Sequence, residues 1–225
     1  MEKTTFELEG RRVLLYREGR PRSLLLQPVD GRDAALLERQ ARIMGEGRAS
    51  FALAAFSVAD WNRELSPWEA PPVFGKEPFG GGGAETLTFM TEALLPRLRE
   101  EPGLGKELPL CLGGYSLAGL FALWAATKTE MFRGVAAASP SVWFPGWLDY
   151  AREHPVGAKR VYLSLGDREE RAKNAVMARV GDCIREQYAL LQGECCVTLE
   201  WNPGGHFQDP EGRTARAFRW VAREE

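Results

Sequence analysis

A chain of 225 residues, 44% hydrophobic and 27% charged, has the composition of a globular protein and length enough to bury roughly 70–75% of its unfolded surface. Its formal net charge of −2 gives no electrostatic reason to expect nucleic acid or an anionic membrane as a partner. Residues 1–8 are polar and charged rather than a signal-peptide core, and no apolar run approaches the ~20 residues of a membrane-spanning helix. The expected location is therefore cytoplasmic.

In chain order, residues 6–16 and 23–28 read as an opening pair of strands with a turn at Gly19-Arg20-Pro21 between them. Residues 33–44, from Asp33 to Met44, form an amphipathic helix closed by Gly45. Residues 51–56 are continuously apolar, as a strand buried on both faces should be. A long proline- and glycine-rich loop fills residues 57–83, and a loop of that length inside a compact domain is usually functional. A helix over residues 84–100 follows, with Pro96 kinking it or beginning its last turn.

Residues 108–112 form the next buried strand and run into Gly113-Gly114-Tyr115-Ser116. Residues 117–128 are apolar nearly all round, which marks a central helix. Strands are expected at 133–139, 160–165 and 195–201, a long helix at 172–191, and a final helix at 214–223. Strands separated by helical stretches imply a mostly parallel sheet with helices on both faces. The chain reads as a single domain over 1–225, without repeats, linkers or a large cap domain.

Gly114-Tyr115-Ser116-Leu117-Ala118-Gly119 stands where a buried strand meets a buried helix. That is the context of a nucleophile elbow, in which a serine sits on a sharp turn with small residues around it. Ala118 departs from the strict G-x-S-x-G pattern by one methyl group. Ser116 at a helix N-terminus makes the N–H of Leu117 one oxyanion-hole donor. The second donor is expected in the loop after the 51–56 strand, around Ser57 and Val58. A serine hydroxyl needs an adjacent base, and His206, in a glycine turn after the last strand, is on the expected edge. His154 falls in a polar stretch at the opposite edge. The third member must lie between serine and histidine, where Gly166-Asp167-Arg168-Glu169-Glu170 follows a strand. Glu169 is the first choice, Asp167 the second and Glu170 the third.

Tyr115, Trp61, Trp68, Trp143 and Trp147 fall in loops of the same edge. They suit either the walls of an acyl or aromatic pocket or rigid packing of long loops. The four cysteines, Cys111, Cys183, Cys195 and Cys196, lack paired spacing and read as thiols packed in a core. With two histidines in the chain, a His-rich zinc site is not expected.

The elbow, together with Ser139-Pro140-Ser141-Val142-Trp143, Leu65-Ser66-Pro67-Trp68, Phe79-Gly80-Gly81-Gly82, the 92–96 stretch and Gly205-His206-Phe207, resembles the Putative esterase family of α/β-hydrolases. The likeness is to its esterase D and enterochelin-esterase-like branch. The resemblance implies an α/β-hydrolase fold and a serine carboxylic-ester hydrolase with no cofactor and a small-molecule ester as its partner. Siderophore-type, feruloyl, acetyl or short-chain esters and thioesters are the substrate classes it implies. An acyltransferase using the same serine and a non-catalytic binding protein on this fold are the two alternatives.

Overall fold

The computed structural model describes residues 1–31, 34–46, 50–73 and 75–223. Eight strands form one sheet: β1 (Glu2–Leu8), β2 (Arg11–Glu18), β3 (Leu24–Asp30), β4 (Phe51–Val58), β5 (Leu110–Tyr115), β6 (Gly134–Ala138), β7 (Arg160–Gly166) and β8 (Cys196–Asn202). Their order across the sheet is β1-β2-β4-β3-β5-β6-β7-β8. The β1–β2 and β2–β4 pairs are antiparallel and all the others parallel. The stretch expected as one strand over residues 6–16 is thus a hairpin. It turns at Glu9 and Gly10, both at positive φ, as a two-residue turn between right-twisted strands requires. Nor do the opening strands pair with each other beyond Gly19, because β4 inserts between β2 and β3.

Helices cover both faces. On one side lie α1 (Ala34–Gly45), whose expected start at Asp33 is outside the described residues, and the C-terminal helix Pro210–Val221. Leu37, Ala41 and Met44 of the first pack with Ala217, Phe218 and Val221 of the second over Leu25, Leu53 and Cys111. On the other side lies a composite helix. It runs as α2 (Gly83–Thr88), a π-helical turn Phe89–Leu94 and α3 (Leu95–Arg99), with Pro96 in the first turn of the last piece. Beside it run α4 (Leu117–Lys128), α5 (Trp147–Glu153) and α6 (Val180–Leu191). The C-terminal helix is α7. Leu117–Ala126 are all buried in α4, which explains why no amphipathic stripe shows in that sequence.

Three expectations need correction. The long helix over 172–191 is broken into a single turn Ala175–Ala178, capped by the Asn174 side chain, and α6, and a separate 3-10 turn Glu169–Arg171 precedes them. The loop expected from residue 57 begins later, since β4 runs to Val58, and it contains a helical turn, Trp61–Glu64, capped by Asp60. Cys196 is exposed, unlike the buried Cys111 and Cys183, because it opens the edge strand β8.

Trp147 opens α5 and is fully buried. Its indole Nε1 donates to Gln187 Oε1 of α6 at 2.7 Å, and Gln187 is itself buried. Removing the ring leaves a large cavity and an unpaired amide oxygen. Trp147→Ala is expected to lower the unfolding free energy by about 3–5 kcal/mol. Urea denaturation measures it, and a loss below about 1 kcal/mol would contradict this packing.

Candidate active site

In a parallel sheet the carboxyl ends of the strands share one edge, and connections leaving that edge bring distant residues together. Ser116 follows β5, Ser139 follows β6, Glu169 follows β7 and His206 follows β8. Ser116 has φ 58 and ψ −120, a conformation that costs a non-glycine residue on the order of 1–3 kcal/mol. The turn holds because its neighbours are small. A Cβ on Gly114 would lie 2.5 Å from the Cβ of Ala118, so the Ala118 methyl occupies the space Gly114 leaves empty. Around the serine, Ser116 N donates to Ala138 O at 3.0 Å, and Ser116 O accepts from Ser141 N at 3.1 Å.

From this turn Ser116 Oγ meets His206 Nε2 at 3.0 Å, and His206 Nδ1 meets Glu169 Oε2 at 2.7 Å. Of the three acids considered, only Glu169 reaches the histidine. Asp167 turns back to accept from Gly204 N at 2.8 Å, and Glu170 pairs with Arg185 at 2.9 Å on the surface. His154 stacks on Tyr150 at the end of α5, its Nδ1 2.8 Å from Tyr150 O.

The other carboxylate oxygen, Glu169 Oε1, accepts from Gly166 N at 2.7 Å, Ser139 Oγ at 2.7 Å and Arg213 Nη2 at 2.8 Å. The Arg213 guanidinium also contacts Ser139 Oγ and lies 5.3 Å from the Tyr115 ring centre. Gly166 must be glycine, because a Cβ there would fall 2.3 Å from Gly204 O. Arg213 is 1% exposed and was not among the sequence candidates. A signal existed: it shares the apolar face of α7 with Ala217 and Val221 at four-residue spacing, where a lone arginine demands a buried partner.

Burial alone would raise the Glu169 carboxyl. The hydrogen bond and charge of His206, then the Ser139 and Arg213 hydrogen bonds, outweigh it and bring the group down to about 2. Tyr115, expected to face substrate, instead donates its hydroxyl to His206 O at 2.5 Å. Burial pushes that phenol up to about 12.

The tryptophans separate. Trp147 is core and offers no surface to a ligand, and Trp143 is 9% exposed. Trp68 donates from Nε1 to Pro145 O at 3.0 Å and packs against Phe144 and Tyr150, while Trp61 stays half-buried. These rings mainly rigidify the loops. Phe207 is the aromatic that sequence reasoning missed: it is 92% exposed, its ring centre 5.1 Å from that of His206.

For the oxyanion hole, Leu117 opens α4, so its N–H has no acceptor within the helix. Ser57 and Val58 do not suit the second donor. Both lie inside β4, paired with Val29 and Asp30 of β3, and β3 stands between β4 and the elbow strand. Ala59 N and Asp60 N, just beyond, both donate to Glu64 Oε1. Sheet order puts the end of β3, rather than that of β4, beside the elbow strand.

This strand order, with an elbow serine after the fifth strand and a histidine after the eighth, defines the α/β-hydrolase fold. The model of the Putative esterase family matches residues 42–197, and the chain belongs to that family; it is an esterase. His206 and Arg213 lie beyond the matched stretch. No curated protein matches by sequence. Among solved structures, an IroE-like serine hydrolase from Shewanella oneidensis superposes with TM-score 0.78 at 15% identity, covering 97% of this chain and 79% of that one. A siderophore hydrolase, EstA, from Aspergillus nidulans gives 0.73 at 18%, covering 98% and 93%. TT1662 from Thermus thermophilus gives 0.60 at 21% over the full length of both chains. Among the described residues no helix is long and apolar enough to cross a membrane.

The Glu169 geometry has a consequence for acid stability. Its folded value of about 2 lies below the ordinary 4.5, so the unfolded chain binds more protons between those values. Its contribution is full above pH 4.5 and is lost as pH falls toward 2. The stability gap between wild type and Glu169→Gln should therefore shrink across that window in denaturant titrations. A gap that stays constant would mean that the carboxyl titrates alike in both states.

Proposed function

We propose that the protein hydrolyses carboxylic esters through an acyl-enzyme on Ser116. The observation that carries this reading is the unbroken path from Ser116 Oγ through the His206 ring to a buried carboxylate, at 3.0 and 2.7 Å. Glu169 is ionised at neutral pH, so Nδ1 of His206 carries a proton toward it and Nε2 is left as the base. Ser116 Oγ bonds to the ester carbonyl carbon while its proton passes to Nε2. The carbonyl π pair moves onto oxygen, facing the Leu117 N–H. Collapse of that intermediate breaks the bond to the alkoxy oxygen, which takes the proton from His206. Water then repeats the sequence in reverse roles and frees Ser116.

The exposed Phe207 ring beside His206 offers an apolar surface next to the reacting atoms. It suits an aryl or bulky acyl group. The structural neighbours described as siderophore hydrolases make siderophore-type esters the first class to assay, ahead of feruloyl, acetyl and short-chain esters and thioesters.

Ser116→Ala is expected to lower kcat/KM by several orders of magnitude on any ester the wild type cleaves. Near-normal hydrolysis by that variant would exclude Ser116 as the nucleophile.

A further inference from the structure

Ser139-Pro140-Ser141 has no part in the acyl-transfer steps above, yet it touches both ends of the triad. Ser139, at φ 42 and 1% exposed, donates to Glu169. Ser141, 2% exposed, places its Oγ 3.3 Å from Ser116 Oγ. The turn is fixed on both sides. Ser139 N donates to Ser164 O and Ser141 N to Ser116 O, and Pro140 packs where a Cβ on Gly119 would lie 3.2 Å away. Among the described residues, Ser116 Oγ is the sole hydrogen-bond partner of the Ser141 hydroxyl.

Either oxygen of a hydroxyl pair can donate, but in the form of the site in which His206 is the neutral base, counting protons sets the direction. Glu169 is ionised and accepts from Nδ1–H of His206. The neutral ring then presents a bare Nε2, which can only accept. Ser116 has a single proton, and it must point at Nε2 to satisfy the 3.0 Å contact. Ser141 is left as the donor to the lone pair of Ser116 Oγ. We infer that Ser141 is a positioning residue of the esterase reaction: its hydroxyl orders a one-way chain of hydrogen bonds running from Ser141 through Ser116 and His206 to Glu169. Without it, Ser116 could rotate away from the base, and productive conformers would be fewer. The inference rests on the reading of Ser116 as nucleophile.

The test compares Ser141→Ala with Ser141→Thr, which keeps the hydroxyl. The wild-type enzyme and both variants are assayed on an activated aryl ester with thermal midpoints measured alongside. A hydrogen bond of this kind corresponds to a roughly three- to tenfold fall in kcat for Ser141→Ala. KM should stay within about twofold, because the lost bond is made to the enzyme's own nucleophile rather than to substrate. Ser141→Thr should recover most of the loss. Wild-type kcat in a folded Ser141→Ala would overturn the inference, as would a change confined to KM or a folded Ser141→Thr no faster than the alanine variant. If the alanine variant does not fold, Ser141→Cys, close in size and a weak donor, should show the same fall, and wild-type kcat there overturns the inference equally. An inactive Ser116→Ala alongside an unaffected Ser141→Ala defeats this inference alone, whereas an active Ser116→Ala defeats the reading beneath it.

Discussion

A carboxylate whose side chain is 4% exposed cannot stay charged in a protein interior unless donors surround it. Glu169 has four: a backbone N–H, a serine hydroxyl and a guanidinium on one oxygen, and His206 on the other. The remaining geometry depends on this arrangement. In the proposed mechanism the fixed charge favours the proton of a neutral His206 on Nδ1, Nε2 is then an acceptor, and that acceptor orients the Ser116 proton. Arg213 is the necessary counterpart. Breaking a buried ion pair by removing one partner costs about 3–5 kcal/mol, because the other charge is left uncompensated. The acid of the site is therefore bound to the stability of the fold through the C-terminal helix.

The sheet supplies what side chains alone could not. Four successive parallel strands, β5 to β8, deliver Ser116, the Ser139 that donates to the acid, Glu169 and His206 to one edge, the first and last of them 90 residues apart in the chain. Small residues allow the connections to turn tightly enough. Gly114 and Ala118 close the elbow, and Gly166 lets the β7 and β8 turns meet. The strain at Ser116 persists because backbone hydrogen bonds from Gly119, Leu120 and Ser141 all converge on its carbonyl.

Much of this was legible in the residues. The central strands and α4 show as apolar runs of the right length, and the elbow shows in the change from strand to helix at a small-residue turn. Ser116 and His206 follow from that turn and from chain order, which narrows the acid to Asp167, Glu169 and Glu170 with Glu169 as first choice. What failed to show depends on non-local pairing. The β1–β2 hairpin was hidden inside one continuous strand-like stretch, and the insertion of β4 between β2 and β3 leaves no local mark. That insertion sets β3 between the strand carrying Ser57 and Val58 and the elbow strand. The tryptophans were ambiguous because an aromatic in a loop has the same sequence signal whether it lines a cleft or is buried like Trp147. Arg213 was overlooked although its position on the buried face of α7 can be read from helical spacing.

The acyl-enzyme itself is the most direct test. Intact-protein mass spectrometry during the first turnovers of a slowly deacylated aryl ester should reveal one added acyl group, and peptide mapping should locate it on Ser116. An adduct on another residue would contradict the account. So would an unmodified enzyme during turnover after rapid acid quenching, provided that a pre-steady-state burst of product shows deacylation to be the slow step.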